Sequence, residues 1–134
     1  MMTPDPWDCS VGVDIEEVDR IRGVVRRWGD RFLKRHFTDQ EIAYCRSQAR
    51  PAESLAVRFA AKEAFAKAYP GGGILGWHDV EVIKDGRRPV LRLRGAAAGY
   101  EAKLSLSHTH EHAVAVVVVR PKRDASAAMP RNRE

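Results

Sequence analysis

Three things are scarce in this 134-residue chain: cysteine (two), methionine (three) and aromatic side chains (7% of residues). The two cysteines, Cys9 and Cys45, have no metal-ligand spacing, so the sequence reads them as free thiols of a reducing compartment, not a disulfide framework. Long apolar runs are missing too. The longest, Ala113 to Val119, falls far short of the ~18–20 residues that span a bilayer and reads as a buried strand. The first ten residues, MMTPDPWDCS, lack a basic segment followed by an apolar one, so a cytoplasmic chain with no membrane association is expected. No internal repeat is visible.

What is present is ordinary globular composition, 44% hydrophobic and 31% charged, at a length that suits one domain with one modest core. The formal charge of +5 is informative only as a distribution. From Arg120 onward five basic residues face two acidic ones, and residues 20–35 hold seven basic side chains against the single acid Asp30. The remainder of the body is therefore net negative. A basic helix on a mildly acidic body calls for an acidic partner. Nucleic acid is one such partner, but no nucleic-acid motif or aromatic platform accompanies the charge, and no nucleic-acid partner is expected.

Hydrophobic periodicity sketches the elements. Cys9 to Ile15 alternates as a strand, with Cys9, Val11, Val13 and Ile15 on one side and Ser10, Gly12 and Asp14 on the other. From Glu16 the period becomes helical through Val18, Ile21, Val25, Trp28 and Phe32, with Gly29 a candidate interruption. Thr38-Asp-Gln-Glu41 has the form of a capping box, and Pro51 marks that helix's end or the loop after it. Residues 53–69, apolar nearly all round and stopped by Pro70-Gly71-Gly72-Gly73, predict a helix buried on several sides. Strands follow at 78–84 and 90–94 around Asp85-Gly86, then at 104–107 and 113–119 around His108 to His112. This order predicts an α+β fold over residues 9–119, with antiparallel strands on a long central helix and a polar, disordered tail over 120–134.

Several side chains are candidates for chemistry. Arg58 and Lys62 share one face of the 53–69 helix, while Glu63 and Lys67 share another. Glu63 and Lys67 read either as a surface i,i+4 ion pair or as buried charges with a task. Asp14, near a strand end, is equally an N-cap or a ligand. The three histidines at 108, 110 and 112 would share a face only in a continuous strand, and the sequence around them fits a hairpin that splays the imidazoles better. The Gly-rich loop follows a helix and lacks Gly-Lys-Ser/Thr, so it is no P-loop. Ser107 and His108 alternate to opposite faces, which argues against a nucleophile–base pair.

Taken together, these segments resemble the holo-acyl-carrier-protein synthases, the small bacterial-type 4′-phosphopantetheinyl transferases. The resemblance rests on Gly12-Val-Asp14-Ile-Glu16-Glu-Val-Asp-Arg20-Ile21, Phe37-Thr38 with Glu41, Arg58-Phe-Ala-Ala-Lys62-Glu63-Ala-Phe-Ala-Lys67-Ala68, Trp77-His-Asp-Val-Glu-Val82 and Leu104-Ser-Leu-Ser107-His108. It implies transfer of the phosphopantetheine arm of coenzyme A, the co-substrate, to a serine of an apo acyl carrier protein, in fatty-acid or related synthesis. It further implies Mg²⁺ on Asp14 and Glu63, with Lys67 beside the diphosphate as a third catalytic residue. Coenzyme contacts would come from Arg58, Lys62, Gly71, Gly72, Gly73, Ser107 and His108. Carrier docking would fall to the basic helix through Arg20, Arg26 and Arg27, and the assembly would be a homotrimer with interfacial active sites. Two rival readings are a nucleic-acid-binding module and a catalytically silent scaffold of the same fold.

Overall fold

A computed structural model describes residues 6–123. Strand β1 (Ser10–Glu17) leads into helices α1 (Val18–Trp28), α2 (Asp30–His36), α3 (Asp39–Arg46) and α4 (Pro51–Ala68). Strands β2 (Val80–Asp85), β3 (Arg88–Leu93), β4 (Tyr100–His108) and β5 (His112–Pro121) follow. All pairing is antiparallel, in a three-stranded sheet ordered β1-β5-β4 and a separate β2-β3 hairpin. The predicted α+β class holds.

The local signals explain the boundaries. Gly29, at φ +54° and ψ −132°, breaks the long amphipathic stretch into α1 and α2, a backbone conformation costly for any residue with a Cβ. Thr38 forms the predicted capping box: its Oγ1 accepts from the Glu41 N–H, and Glu41 accepts from the Thr38 N–H. Pro51 does not end a helix. It occupies the first turn of α4, where its missing N–H costs nothing, so α4 begins two residues earlier than the pattern suggested. Strand β5 runs to Pro121, and the Lys122 N–H bonds the Gly99 carbonyl, so the first residues assigned to a tail are part of the sheet. Residues 124–134, the rest of that tail, lie outside the described residues.

Helix α4 is apolar on several sides because several elements cover it. Ala60, Ala61, Ala64, Phe65 and Ala68 pack with Val80 and Val82 of β2 and Ala115, Val117 and Val119 of β5. A second cluster joins Leu55, Ala56 and Val57 to Val18, Ile21, Leu33, Phe37, Ile42 and Cys45. The alanines let β1 approach closely: a Cβ on Gly12 would lie 2.0 Å from the Ala64 carbonyl oxygen.

The alternation in β1 is as predicted, but its sides are inverted relative to a usual amphipathic strand. Gly12, Asp14 and Glu16 are buried against α4, while Val11, Val13 and Ile15 are 63%, 54% and 63% exposed. In register with them on β5 lie Val118, Val116 and Val114. The outer face of the sheet is thus aliphatic, and the inner face carries carboxylates.

Candidate active site

The close β1–α4 contact brings Asp14 and Glu16, two residues apart on one strand face, against the helix face that carries Glu63 and Lys67. Lys67 Nζ donates to Asp14 Oδ1 and to the Val13 carbonyl, each at 3.0 Å. It is therefore a bridge from helix to strand, not the surface partner of Glu63. Nor is Asp14 an N-cap, since α1 starts four residues later after Glu17, with no side-chain cap.

Crowding of carboxylates shows in their proton affinities. Burial, then contact with Asp14, pushes Glu16 up to about 8, while Arg20 pulls it down. Burial and the Asp14 charge also raise Glu63, opposed by Lys67 and Arg20. Lys67 is held above the usual ammonium range by its hydrogen bond to Asp14. The sequence reading stopped the strand at Ile15 and so gave Glu16 no role. One more step of the same alternation would have placed it beside Asp14.

The donor set fits a hard divalent cation. Asp14 Oδ2 is buried with no hydrogen-bond partner, beside two further carboxylates that repel it. Among the described residues no group of three His, Cys, Asp or Glu side chains forms a complete cage. Mg²⁺ does not need one, because it keeps waters and takes substrate phosphate oxygens alongside one or two carboxylates.

Next to Glu63 a cleft of about 270 Å³ opens between α4 (Ala66, with Tyr69 beyond the helix end) and the segment Leu75, Trp77 and Val80. Tyr69 braces its rim: the hydroxyl lies 2.9 Å from the Ala96 carbonyl and 3.2 Å from that of Gly72. A Cβ on Gly71 would have to displace the Tyr69 ring, Gly73 at φ +82° favours glycine, and Gly72 is exposed in the same loop.

Lys62 is a correction. Its Nζ is 2.7 Å from Glu41 Oε1, 2.6 Å from the Val80 carbonyl and 3.0 Å from the Trp77 carbonyl, with the side chain 1% exposed. Three protons on three protein acceptors leave none for a coenzyme phosphate. Burial lowers its proton affinity, and the neighbouring Glu41 carboxylate opposes this. Arg58 is also buried. It stacks on Tyr44, with its guanidinium carbon 4.3 Å from the ring centroid, and its Nε has no partner.

At the other end of α4, Glu53 gathers His108 (3.2 Å) and His110 (2.9 Å), with Arg50 at 3.8 Å. His108 thus ends β4 and is not in the loop. The hairpin does not splay all three rings, because a buried carboxylate from another element draws two of them together. His112 stands exposed on β5, and Ser107 is exposed on the outer sheet face, opposite Val114. Ten residues of helix separate Glu53 from Glu63, roughly 15 Å of rise. His108 nonetheless shares a cross-strand row with Glu16 through Ala113, while its ring is drawn to Glu53 and Ser107 faces the other side of the sheet. Arg20, Arg26 and Arg27 are exposed on α1, with Arg27 over the half-exposed ring of Trp28 at 5.2 Å.

Residues 10–117 match the family model of the 4′-phosphopantetheinyl transferase superfamily. A holo-[acyl-carrier-protein] synthase of Chloroherpeton thalassium is 48% identical over 118 residues, covering 84% of this chain and 98% of that protein. The crystal structure of Helicobacter pylori holo-[acyl-carrier-protein] synthase in complex with coenzyme A superposes with a TM-score of 0.71 at 32% identity, covering 81% and 98% of the two chains. That of the Neisseria meningitidis enzyme gives 0.73 at 30% identity over 83% and 97%. The chain belongs to the 4′-phosphopantetheinyl transferase superfamily. Within it, the chain is an enzyme of the holo-acyl-carrier-protein synthase type.

Proposed function

We propose that this enzyme transfers the 4′-phosphopantetheine group of coenzyme A to a serine hydroxyl of an apo acyl carrier protein, in support of fatty-acid or related synthesis. The serine oxygen attacks the phosphorus that bears the pantetheine arm. The bond from that phosphorus to the bridging oxygen breaks, adenosine 3′,5′-bisphosphate leaves, and the serine proton passes to a base. The observation that carries this reading is the buried Asp14, with a free carboxylate oxygen, held by Lys67 next to Glu63 at the cleft.

Asp14 and Glu63 would hold Mg²⁺, which supplies charge neutralisation at the diphosphate. Lys67, already bonded to Asp14, adds positive charge on the same side. The serine proton would pass to Glu63 or to a water near Asp14. Arg20, close enough to influence both Glu16 and Glu63, links the carboxylates to the basic helix on which Arg26 and Arg27 would dock the acidic carrier. Gly71 to Gly73 would border the nucleotide.

Arg58, Ser107 and His108 remain proposed coenzyme contacts. The aliphatic outer face formed by Val11, Val13, Ile15, Val116 and Val118 is suited to burial against other copies of the chain. A homotrimer built on it would let the Ser107–His108 end of one subunit complete the carboxylate end of another.

Incubating the protein with coenzyme A, Mg²⁺ and an apo carrier, then weighing the carrier, tests the reaction. Gain of one phosphopantetheine mass is expected. No gain across fatty-acid, polyketide and peptide carriers would overturn the reading.

A further inference from the structure

Lys62 and Glu41 form an ion pair whose side chains are 1% and 0% exposed. Such pairs contribute little net stability, because desolvation offsets the attraction, and an apolar or neutral pair of similar volume is commonly as stable. What this pair does have is geometry. Glu41 is fixed on the α3 side by the Thr38 N–H (2.9 Å) and on the β2 side by the Val82 N–H (2.8 Å). Lys62, placed between the cleft helix and that carboxylate, spends its other two protons on the Trp77 and Val80 carbonyls. Those carbonyls sit where the chain leaves the glycine-rich loop and enters β2, in the segment that forms the cleft wall facing Glu63. Trp77 is further set by stacking on Phe59, ring centroids 5.2 Å apart and planes 20° from parallel. The Lys62 ammonium, adjacent in sequence to the proposed metal ligand, thus ties both ends of this wall to α4, beside the bonds His78 and Asp79 make to Lys34 and Gly76.

We propose that Lys62 is a positioning residue that fixes the Trp77–Val80 wall of the cleft and so sets its fit to coenzyme A, without touching the coenzyme. This rests on the cleft being the coenzyme site, as proposed above. It differs from a direct phosphate contact, which the occupied protons exclude, and from a purely structural role.

Calorimetric titration of coenzyme A separates these, and needs no carrier, so its result is independent of whether transfer occurs. Lys62→Met leaves Glu41 buried and unpaired and is expected to lower Tm. Lys62→Met/Glu41→Gln removes both charges and is expected to regain most of that loss. If Lys62 positions the wall, coenzyme A Kd rises about tenfold in both variants and stays raised in the double variant despite the recovered Tm. Faster amide exchange over residues 75–80 should accompany it. A Kd that returns together with Tm, or that never rises in a folded variant, would overturn the proposal. Transfer by the unsubstituted protein, measured in parallel, reports on the reaction alone.

Discussion

Lys67 bonds Asp14, not Glu63. The ammonium of α4 sits 3.0 Å from a carboxylate oxygen of β1, passing over the acid one helical turn before it. A surface i,i+4 pair would be worth a few tenths of a kcal/mol and would leave Glu63 neutralised. The observed contact instead leaves Glu63 with a raised proton affinity and Asp14 with one unpartnered oxygen.

Lys67→Met therefore removes charge from the reacting diphosphate without emptying the core, since the side chain is 57% exposed. A kcat loss of about 100-fold or more is the expected result, together with a lowered unfolding midpoint because the buried Asp14 loses its ion-pair partner. Steady-state transfer with a saturating apo carrier measures it; a kcat within about threefold of the unsubstituted enzyme would remove Lys67 from the chemistry.

Gly12 matters through space rather than flexibility. Its missing Cβ lets the Ala64 carbonyl approach, and a methyl group would meet that backbone oxygen at 2.0 Å. Gly12→Ala must push β1 off α4, at a cost of about 2–3 kcal/mol, and move Asp14 away from Glu63 with it. Urea unfolding and the transfer rate should fall together. Full stability would show that the strand and helix separate without loss.

Much of this was legible in the residues themselves. The capping box at Thr38, the break at Gly29, the β2-β3 hairpin and the α4 segment are local signals, and each survives folding because no tertiary contact opposes it. The motif around Asp14 and Glu63 gave the candidate site. What local pattern could not carry was partnership across elements. Lys62 looked available until Glu41, 21 residues earlier, and two carbonyls took its protons. The histidines looked splayed until Glu53, more than 50 residues earlier, collected two of them. The alternation of β1 was clear, but which side met α4 depended on Gly12 and the α4 alanines together.

The exposed side of β1 leads to a prediction about assembly. Val13 and Val116 are register partners at 54% and 38% exposure in the middle of the aliphatic face. Val13→Asp places a charge there without disturbing the inner face. Sedimentation equilibrium should show a trimer for the unsubstituted protein and a monomer with little transfer activity for the variant. A monomeric, fully active unsubstituted protein would refute an interfacial site.

Docking is better tested away from Arg20, which also acts on Glu16 and Glu63. Arg27 is exposed at the far end of α1, against the Trp28 ring. Arg27→Glu should raise the carrier KM several-fold, more so at low salt, and leave the coenzyme A KM within about twofold. Equal changes in both constants would exclude a docking role.

His36 gives a pH signature distinct from the carboxylates. Its ring packs 4.4 Å from Phe32 and 4.6 Å from Trp77, and Nδ1 lies 2.8 Å from the Phe32 carbonyl. Burial lowers its proton affinity, and the charges of Arg35, Lys62 and His78 add to this against the Phe32 carbonyl. With the folded pKa below the unfolded value of about 6.5, the unfolded chain binds the proton more readily. The contribution of His36 is thus complete above about pH 6.5 and declines as pH falls through that value toward the folded pKa. Raised carboxylates such as Glu16 act in the opposite sense, so the test is a difference. The stability gap between the unsubstituted protein and His36→Phe, from urea unfolding at pH 7.5, 6.5 and 5.5, should shift steadily in favour of the variant as pH drops. Parallel stability curves over that range would show that His36 takes up its proton equally well in the folded and unfolded chains.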